Sequence, residues 1–524
     1  MTASGPDARE TALAVGLLAI AVAVVFGGAV RTFFSQDDFL YLAQARGLVP
    51  RPLPWFRPLA HIGFFSTMNG LVGLNASLWH AAALALHVLT VVLFWGLVRA
   101  RASAPAALLA ACVAAVHPAL FTAAYWIAAA NVQLAWALAL AALHAESMRG
   151  RARWTAVPLA ALAVWARETT VVLPALVMIV RLHDRRPVRD RLMLAMSLAV
   201  AATFAVTLVS GVAARQGEVA AAYHAQLGPH VIANLVSYLG WTVNVVLPFV
   251  RAFSDALDPT VTGWAIAAAV VLAAGACVPA LRRHGWLLGA EWFLLALVPV
   301  LPLANHTYHY YLYGPLFGAA WCVAAAWQAA AEAIAERAAA DAARRAGAAP
   351  RHAHARVSTV TPVRLGGAAL ASLLAIAWIA NAAALVRKIE SYPFAAGLRS
   401  DPTVDRAIIA SHAVRDLSRA EIPAGTTLRF WSPLSQSTAA EQGWDTRDET
   451  YFERNVRAAL MDGLAVRIFL PDVRAVEFVR AFAIADSSVR YAVYRPDGSL
   501  AVGTPAELLT VMQVRGLPQT PRTP

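Results

Sequence analysis

The sequence predicts a mainly α, polytopic helical membrane protein with a small C-terminal extracytoplasmic α/β domain, and three observations carry that expectation. Of the 524 residues, 59% are apolar and only 14% charged, with a mean hydropathy of +0.57, outside the range of soluble globular chains. The apolar residues are gathered into runs of about twenty, the length that crosses a bilayer core of roughly 30 Å. Beyond residue 388 the pattern changes to scattered Pro, Gly and charge among short alternating stretches such as TTLRFW and LAVRIFL.

The expected spans, in order, are 11–30, 76–98, 103–122, 124–147, 192–213, 262–281, 286–303, 310–332 and 365–386. The region 154–181 adds two half-length spans meeting near the outer face, because Arg167-Glu168 interrupts its apolar run. About eleven spans result. The first run is long and has no small-residue cleavage site before the next charge, so it reads as an uncleaved anchor and not a signal peptide.

Lys and Arg number 43 against 31 Asp and Glu, a net charge of +12, and Lys388 alone is a lysine. The bases fall mostly in short loops: RAR at 99–101, RGRAR at 149–153, RLHDRRPVRDR at 181–191, RR at 282–283, and the Arg, Ala and His stretch 336–364. Positive loops stay in the cytoplasm, so the N-terminus is expected inside and residues 388–524 outside the cytoplasmic membrane. That role also accounts for the pI of 10.2 without a nucleic-acid partner.

Residues 230–248 are apolar enough for a further span, but counting them would turn Arg282-Arg283 and 336–364 outward. They are therefore expected as a helix or re-entrant segment at the outer interface, where Asn234, Tyr238 and Asn244 are tolerated. The organisation that follows is a transmembrane region 1–335, a flexible low-complexity cytoplasmic linker 336–364, a last span 365–387 and the domain 388–524. In that domain YAVYRPDGSLAVG reads as two strands around an Asp-Gly turn. Cys112, Cys277 and Cys322 lie far apart in apolar segments and read as packing residues. The sequence shows no internal repeat, glycine-rich phosphate loop or HExxH spacing.

The stretch SQDDFLY, 35–41, puts Asp37 and Asp38 at the start of the first outer loop. Two acids suit the N-terminus of a helix through FLYLAQA. Carboxylates at a lipid boundary are also costly, and so are functional candidates. The loop runs to about 45 residues, longer than a connector needs, and its WFRPLAHIGFF places Arg57 and His61 in a Pro-rich, aromatic setting. A guanidinium grips phosphate through paired donors and a carboxylate takes a proton from a hydroxyl, so this grouping suggests an anion site beside a base. Arg57 pairing with an acid or reaching lipid headgroups is the plainer alternative.

Arg167 and Glu168 read either as an ion pair holding a helical tip or as a second anchor for a lipid phosphate or sugar. ANHTYHYYLYGP, 304–315, gathers His306, His309, Tyr311 and three more tyrosines at an outer boundary. An aromatic belt explains tyrosines there, which leaves the two histidines as contacts for phosphate or sugar. His80 and His87 read as helix-packing residues; His117 and Asn131, at the outer turn between two spans, are weaker site candidates.

Taken in order, the acidic pair after the first span, WFRPL, GLNASLWHAAALALH, HPALFTAAYWIAA, ARETTVVLPAL and HYYLYGP resemble the GT-C membrane glycosyltransferases, glycosyltransferase family 39-like. Within these, the chain is most similar to the protein O-mannosyltransferase-like and tetratricopeptide-associated O-mannosyltransferase branch, over residues 10–335. The resemblance implies a GT-C type fold, a polyprenyl-phosphate sugar as donor, and inverting transfer on the outer face to a hydroxyl of a protein, lipid or glycan. It implies a first-loop acid as base, Asp37 or Asp38 with Asp38 favoured. Arg57 and Arg167 would lie near the donor phosphate; His61, Glu168, His306, His309 and Tyr311 join them as donor contacts from the reading of the residues themselves. No cofactor is established: two acids alone do not define a metal site, and a divalent cation bridging Asp37 and the phosphate stays open.

Three departures bear on the sugar and the acceptor. Residues 128–131 are Ala-Ala-Ala-Asn where the branch usually has an Arg before the polar residue, the basic–acidic pair is Arg-Glu and not Lys-Glu, and no tetratricopeptide array follows. Two other functions compete. A flippase for a polyprenyl-linked lipid predicts charges in both leaflets and internal repeats, and a scaffold predicts Asp38 and Arg57 far apart.

Overall fold

The computed structural model describes residues 7–51, 55–214, 225–243, 259–304, 306–345, 360–391, 401–431, 451–479, 489–494 and 500–508. Six helical segments among them are long and apolar enough to cross a membrane: Ala8–Arg31, Ala76–Arg99, Ile127–Ser147, Arg191–Ser210, Thr260–Cys277 and Gly366–Ser391. Ala104–Ala115 with Pro118–Tyr125 makes a seventh if counted as one span bent by 45°. The bend follows from Pro118, which has no N–H to give and drives His117 to an extended φ of −62° and ψ of 128°. Several spans turn bare Leu, Ile and Val outward, among them Ile20, Leu198, Val209, Ile266 and Ile376. Exposed apolar side chains on helices of this length suit a lipid surrounding.

The remaining expected spans are helical but do not meet the same length and hydropathy. Residues 154–181 form two short helices, Ala156–Ala166 and Leu173–His183, broken by a 3-10 turn at Glu168–Val172. Trp286–Leu297 is a 12-residue helix. It packs closely on Pro315–Arg345, where a β-carbon at Gly289 would come within 2.6 Å of the Gly318 carbonyl oxygen. Two glycines let these helices meet backbone to backbone.

Pro315–Arg345 also corrects the expected linker: the helix continues well past residue 336, and Val360–Ser391 begins before 365. The Ala, Glu and Arg of AEAIAERAAADAARR are strong helix formers, so the run extends a helix. Residues 346–359, like Asn244 and the rest of 244–248, lie outside the described residues. The part of 230–248 that is described lies in the helix Pro229–Val243, whose 15 residues span about 22 Å. Of the cysteines, Cys112 and Cys322 are buried and Cys277 is exposed.

The arginine loops meet one another at one end of the bundle. Arg99 pairs with Glu10 (2.5 Å), Arg101 with Asp184 (2.6 Å), Arg153 with Asp190 (2.7 Å), and Arg186 with Glu146 (2.7 Å). The deepest pair, Arg181 with Glu146, is 1% exposed on both sides. Helices Ala76–Arg99, Ala130–Ser147, Ala156–Ala166 and Leu173–His183 each carry one terminus to this end. Their other termini, bearing Trp79, Asn131, Arg167 and Thr170, gather at the opposite end, about 27 Å away along the 18 residues of Ala130–Ser147.

The C-terminal unit builds a four-stranded sheet in the order β2-β1-β3-β4, from β1 Thr427–Trp431, β2 Ala475–Phe478, β3 Val489–Tyr494 and β4 Leu500–Gly503. β1 lies parallel to β2 and β3, and β3 runs antiparallel to β4 with Ala492 opposite Val502. The Asp-Gly turn expected between β3 and β4 falls on 495–499, outside the described residues. LAVRIFL is not a strand: Leu464–Phe469 is a helix entered through Gly463 at φ 86°, burying Ala465, Val466 and Ile468. With Tyr451–Ala459 it supplies the crossover that the parallel β1–β2 pair requires.

This unit shares one apolar cluster with the first loop. Phe34, Phe39, Leu42 and Trp79 pack in the same buried group as Ile409, Leu417, Leu428, Phe430, Leu460 and Val466. A cleft of about 300 Å³ opens beside it, lined by Arg31, Phe33, Glu390, Ser411 and His412 among others. The C-terminal unit therefore sits at the end of the bundle away from the arginine loops.

Candidate active site

The acidic pair opens the helix Asp37–Ala45, with both carboxylates in its first turn, where the helix dipole favours negative charge. The two side chains do different work. Asp38 is 1% exposed, and its carboxylate accepts the Ser35 N–H at 3.0 Å on one oxygen and the Ala128 N–H at 2.7 Å on the other. It thus ties the first loop to the 3-10 turn Ile127–Ala129. Asp37 keeps part of its surface open and lies in the field of Arg406 and Arg57.

Burial raises both groups. Asp37 is lifted above the usual carboxylate range, with Arg406 and then Arg57 pulling it back. Asp38 is pushed to about 8 by burial, opposed by its two backbone N–H bonds and reinforced by the charge of Asp37. Asp37 is thus the accessible member of the pair, and Asp38 the anchored one.

Arg57 enters from the same loop with a left-handed backbone, φ 47° and ψ 49°, a conformation that costs a non-glycine residue about 1–3 kcal/mol. It grips Glu168 in a two-pronged pair, Nε to Oε2 at 2.7 Å and Nη2 to Oε1. Glu168 therefore pairs across 111 residues of sequence, not with its neighbour Arg167. Arg167 is 3% exposed, donates from Nη1 to Asn131 Oδ1 at 2.6 Å, and lies over the rings of Tyr310 and Tyr311, each at 5.0 Å. Its Nε is buried with no hydrogen-bond partner among the described residues.

His61 is 7% exposed and stacks on Tyr41 at 3.9 Å. Burial, and then the charge of Arg57, holds its pKa well below the ordinary histidine value, so the ring is neutral. Its Nε2 is likewise buried without a partner among the described residues. Arg57, Glu168 and Arg167 all act on this ring electrostatically. Glu168, paired with Arg57, also acts electrostatically on Arg167, so two guanidiniums share one carboxylate, with the Arg167 Nε and His61 Nε2 both buried beside it.

Tyr310, Tyr311 and Tyr313 are 4%, 7% and 1% exposed, so they do not form an aromatic belt facing lipid. They line the site and the core behind it: Tyr310 lies near Trp126 (6.1 Å), and its hydroxyl is 3.3 Å from His306 Nε2. His309 packs on Trp241 at 4.0 Å. The segment leading to both histidines is pinned by Asn234, which donates to the Leu301 and Leu303 carbonyls at 2.9 Å and accepts from Thr307 at 2.6 Å. His87 is a packing residue as expected, bonded to Tyr313 and the Ala115 carbonyl. His117 bonds the Thr242 carbonyl at 2.9 Å.

Asp37, Arg57, His61, Arg167, Glu168 and Tyr311 come together, and Asn131 joins them through Arg167. Sequence reasoning missed Gln36 and Arg406. Arg406 Nη1 donates to Gln36 Oε1, and Nη2 to Asn455 Oδ1 at 3.4 Å. Among the described residues no group of three or more His, Cys, Asp or Glu converges as a metal site. Asp38 spends both oxygens on backbone donors, and Asp37 lies in the field of two guanidiniums.

No family model matches the sequence, and no curated protein matches it. Among solved structures, the chain is similar to the arabinofuranosyltransferase AftD from mycobacteria, determined by single-particle cryo-EM, at 16% sequence identity and a TM-score of 0.44. That likeness covers 82% of this chain, and the chain spans about 30% of the length of that one.

Proposed function

We propose that the chain is a membrane glycosyltransferase of GT-C type. It moves a sugar from a polyprenyl-phosphate donor to an acceptor hydroxyl on a protein, lipid or glycan, at the extracytoplasmic face of the cytoplasmic membrane. One observation supports this reading: Asp37, a carboxylate with part of its surface open, lies in the field of Arg57, and Arg57 belongs to a buried cluster with Glu168, His61, Arg167 and, through Arg167, Asn131, at the end of the bundle remote from the arginine loops. A flippase has no use for a base beside its phosphate site, and a scaffold has no use for either.

In this account Arg167 and the neutral His61 hold the donor phosphate, and Glu168 holds Arg57 in place. Asp37 takes the proton of the acceptor hydroxyl as its oxygen attacks the anomeric carbon. The bond from that carbon to the phosphate oxygen breaks, the configuration inverts, and the negative charge on the departing polyprenyl phosphate is met by Arg167. Asp38 fixes the geometry and takes no proton in the reaction. A base of this kind contributes about 10²–10⁴-fold.

The test is to supply membranes containing the protein with labelled polyprenyl-phosphate pentoses and hexoses and to separate lipid, glycan and protein fractions. Label in one fraction, absent from Asp37→Asn membranes, supports the reading. Equal label with and without the protein for every donor removes it.

A further inference from the structure

The C-terminal unit reaches into the first loop by several routes. Arg406, on the helix Pro402–Arg419, donates to the side chain of Gln36. The Gln36 backbone N–H donates to the Ala459 carbonyl at 3.2 Å, and Ala459 also belongs to the C-terminal unit. Gln36 is the residue before Asp37, and its backbone is left-handed, at φ 55°. A non-glycine residue keeps such a conformation only when its surroundings impose it, and strain of this kind clusters at working sites. The residues after it, Phe39 and Leu42, are buried in the apolar cluster shared with the C-terminal unit. Arg406 is in turn set by Asn455 and lies near Asp401, which caps its helix by accepting the Thr403 N–H at 2.8 Å.

We propose that Arg406 is a positioning residue of the Asp37 site: it clamps Gln36 at the start of the site helix, so that the C-terminal unit completes the active centre. The inference rests on the proposed function in one respect, namely that the carboxylate being positioned is the base.

The clamp has an electrostatic side. The charged groups acting on Asp37 are Arg406 from the C-terminal unit, Arg57 from the far part of the loop, and Asp38 beside it; Arg406 has the larger effect of the two cations. Removing that cation raises the pH at which Asp37 ionises, whereas a plain packing contact leaves it where it is.

The experiment uses the full chain in lipid nanodiscs. Asp37 is modified with a water-soluble carbodiimide and an amine across a pH series, and the labelled peptide is quantified by mass spectrometry. The expected result for Arg406→Gln is a midpoint about 0.5–1 pH unit above wild type, with Arg406→Lys retaining most of the wild-type value. An unchanged midpoint in a folded Arg406→Gln protein overturns the proposal.

Should Arg406→Gln fail to fold, Gln36→Gly serves instead, because glycine accepts φ 55° without strain while the Arg406 contact is lost. Here Asp37 labelling is expected to become faster and less pH-selective, and wild-type behaviour again overturns the proposal. The two readings fail separately. A shifted midpoint with no sugar transferred from any donor keeps the clamp and removes the transferase. Transfer that depends on Asp37 with an unshifted midpoint does the reverse.

Discussion

Replacing Asp38 by alanine removes the acceptor of two buried N–H groups, those of Ser35 and Ala128. Each orphaned buried donor costs about 1–3 kcal/mol, so the change should cost about 2–6 kcal/mol of stability. Asp38→Asn keeps one acceptor and turns an NH₂ toward the other donor, for about half that loss. Asp37 accepts no such backbone bonds among the described residues, and Asp37→Asn should alter stability by no more than about 0.5 kcal/mol. Its effect falls on turnover, about 10²–10⁴-fold, equivalent to about 3–5.5 kcal/mol of barrier. The assay is thermal unfolding in detergent, followed by size-exclusion fluorescence, in parallel with sugar transfer at saturating donor. An Asp38→Ala protein as stable as wild type, or an Asp37→Asn protein with normal turnover, would refute the division of labour between the two acids.

Glu168→Ala should destabilise the protein by about 3–5 kcal/mol, toward the lower figure because Glu168 is 24% exposed; denaturant titration checks it. Arg167→Lys, which cannot both bond Asn131 and lie flat over Tyr310 and Tyr311, should raise the donor KM about 10–100-fold while changing acceptor KM little. Because Asp37 is raised above the ordinary carboxylate range, the acid limb of kcat should lie at higher pH than the 3.8 of an ordinary aspartate, activity being lost as falling pH protonates the base. Asp38 has a folded pKa near 8 against 3.8 unfolded, so its contribution to stability is full below pH 3.8 and is lost as pH rises through 8; Asp38→Asn should remove that slope from a stability–pH profile.

What the sequence made legible was whatever breaks an apolar run. Arg167-Glu168 and the acidic pair announced themselves because charge is expensive within or beside a span, whereas the bend at His117-Pro118, inside the expected span 103–122, did not. Pairing was not legible: Glu168 finds Arg57 across the fold, and no local rule selects that partner over Arg167. Nor could spacing assign the two aspartates. Their roles depend on which one faces the Ala128 N–H, a residue 90 positions away. Arg406 is one of 43 basic residues, and nothing in PTVDRAIIASHAVRDL marks it. The tyrosines of HYYLYGP fit a lipid-facing belt equally well until Arg167 is seen lying across two of them. LAVRIFL has the alternation of a strand, and tertiary burial of Ala465, Val466 and Ile468 makes it a helix instead.

In the proposed reaction Asp37, and not Asp38, takes the acceptor's proton beside a donor held by Arg167. The most direct measurement is the release of polyprenyl phosphate, quantified by mass spectrometry, from a saturating lipid-linked sugar in proteoliposomes supplied with an acceptor-bearing membrane extract and containing wild type, Asp37→Asn or Asp38→Asn protein at equal folded concentration. Release is expected to fall about 10²–10⁴-fold only in Asp37→Asn, while Asp38→Asn, once corrected for its lower stability, stays within about tenfold of wild type. Release lost in Asp38→Asn and kept in Asp37→Asn would contradict it.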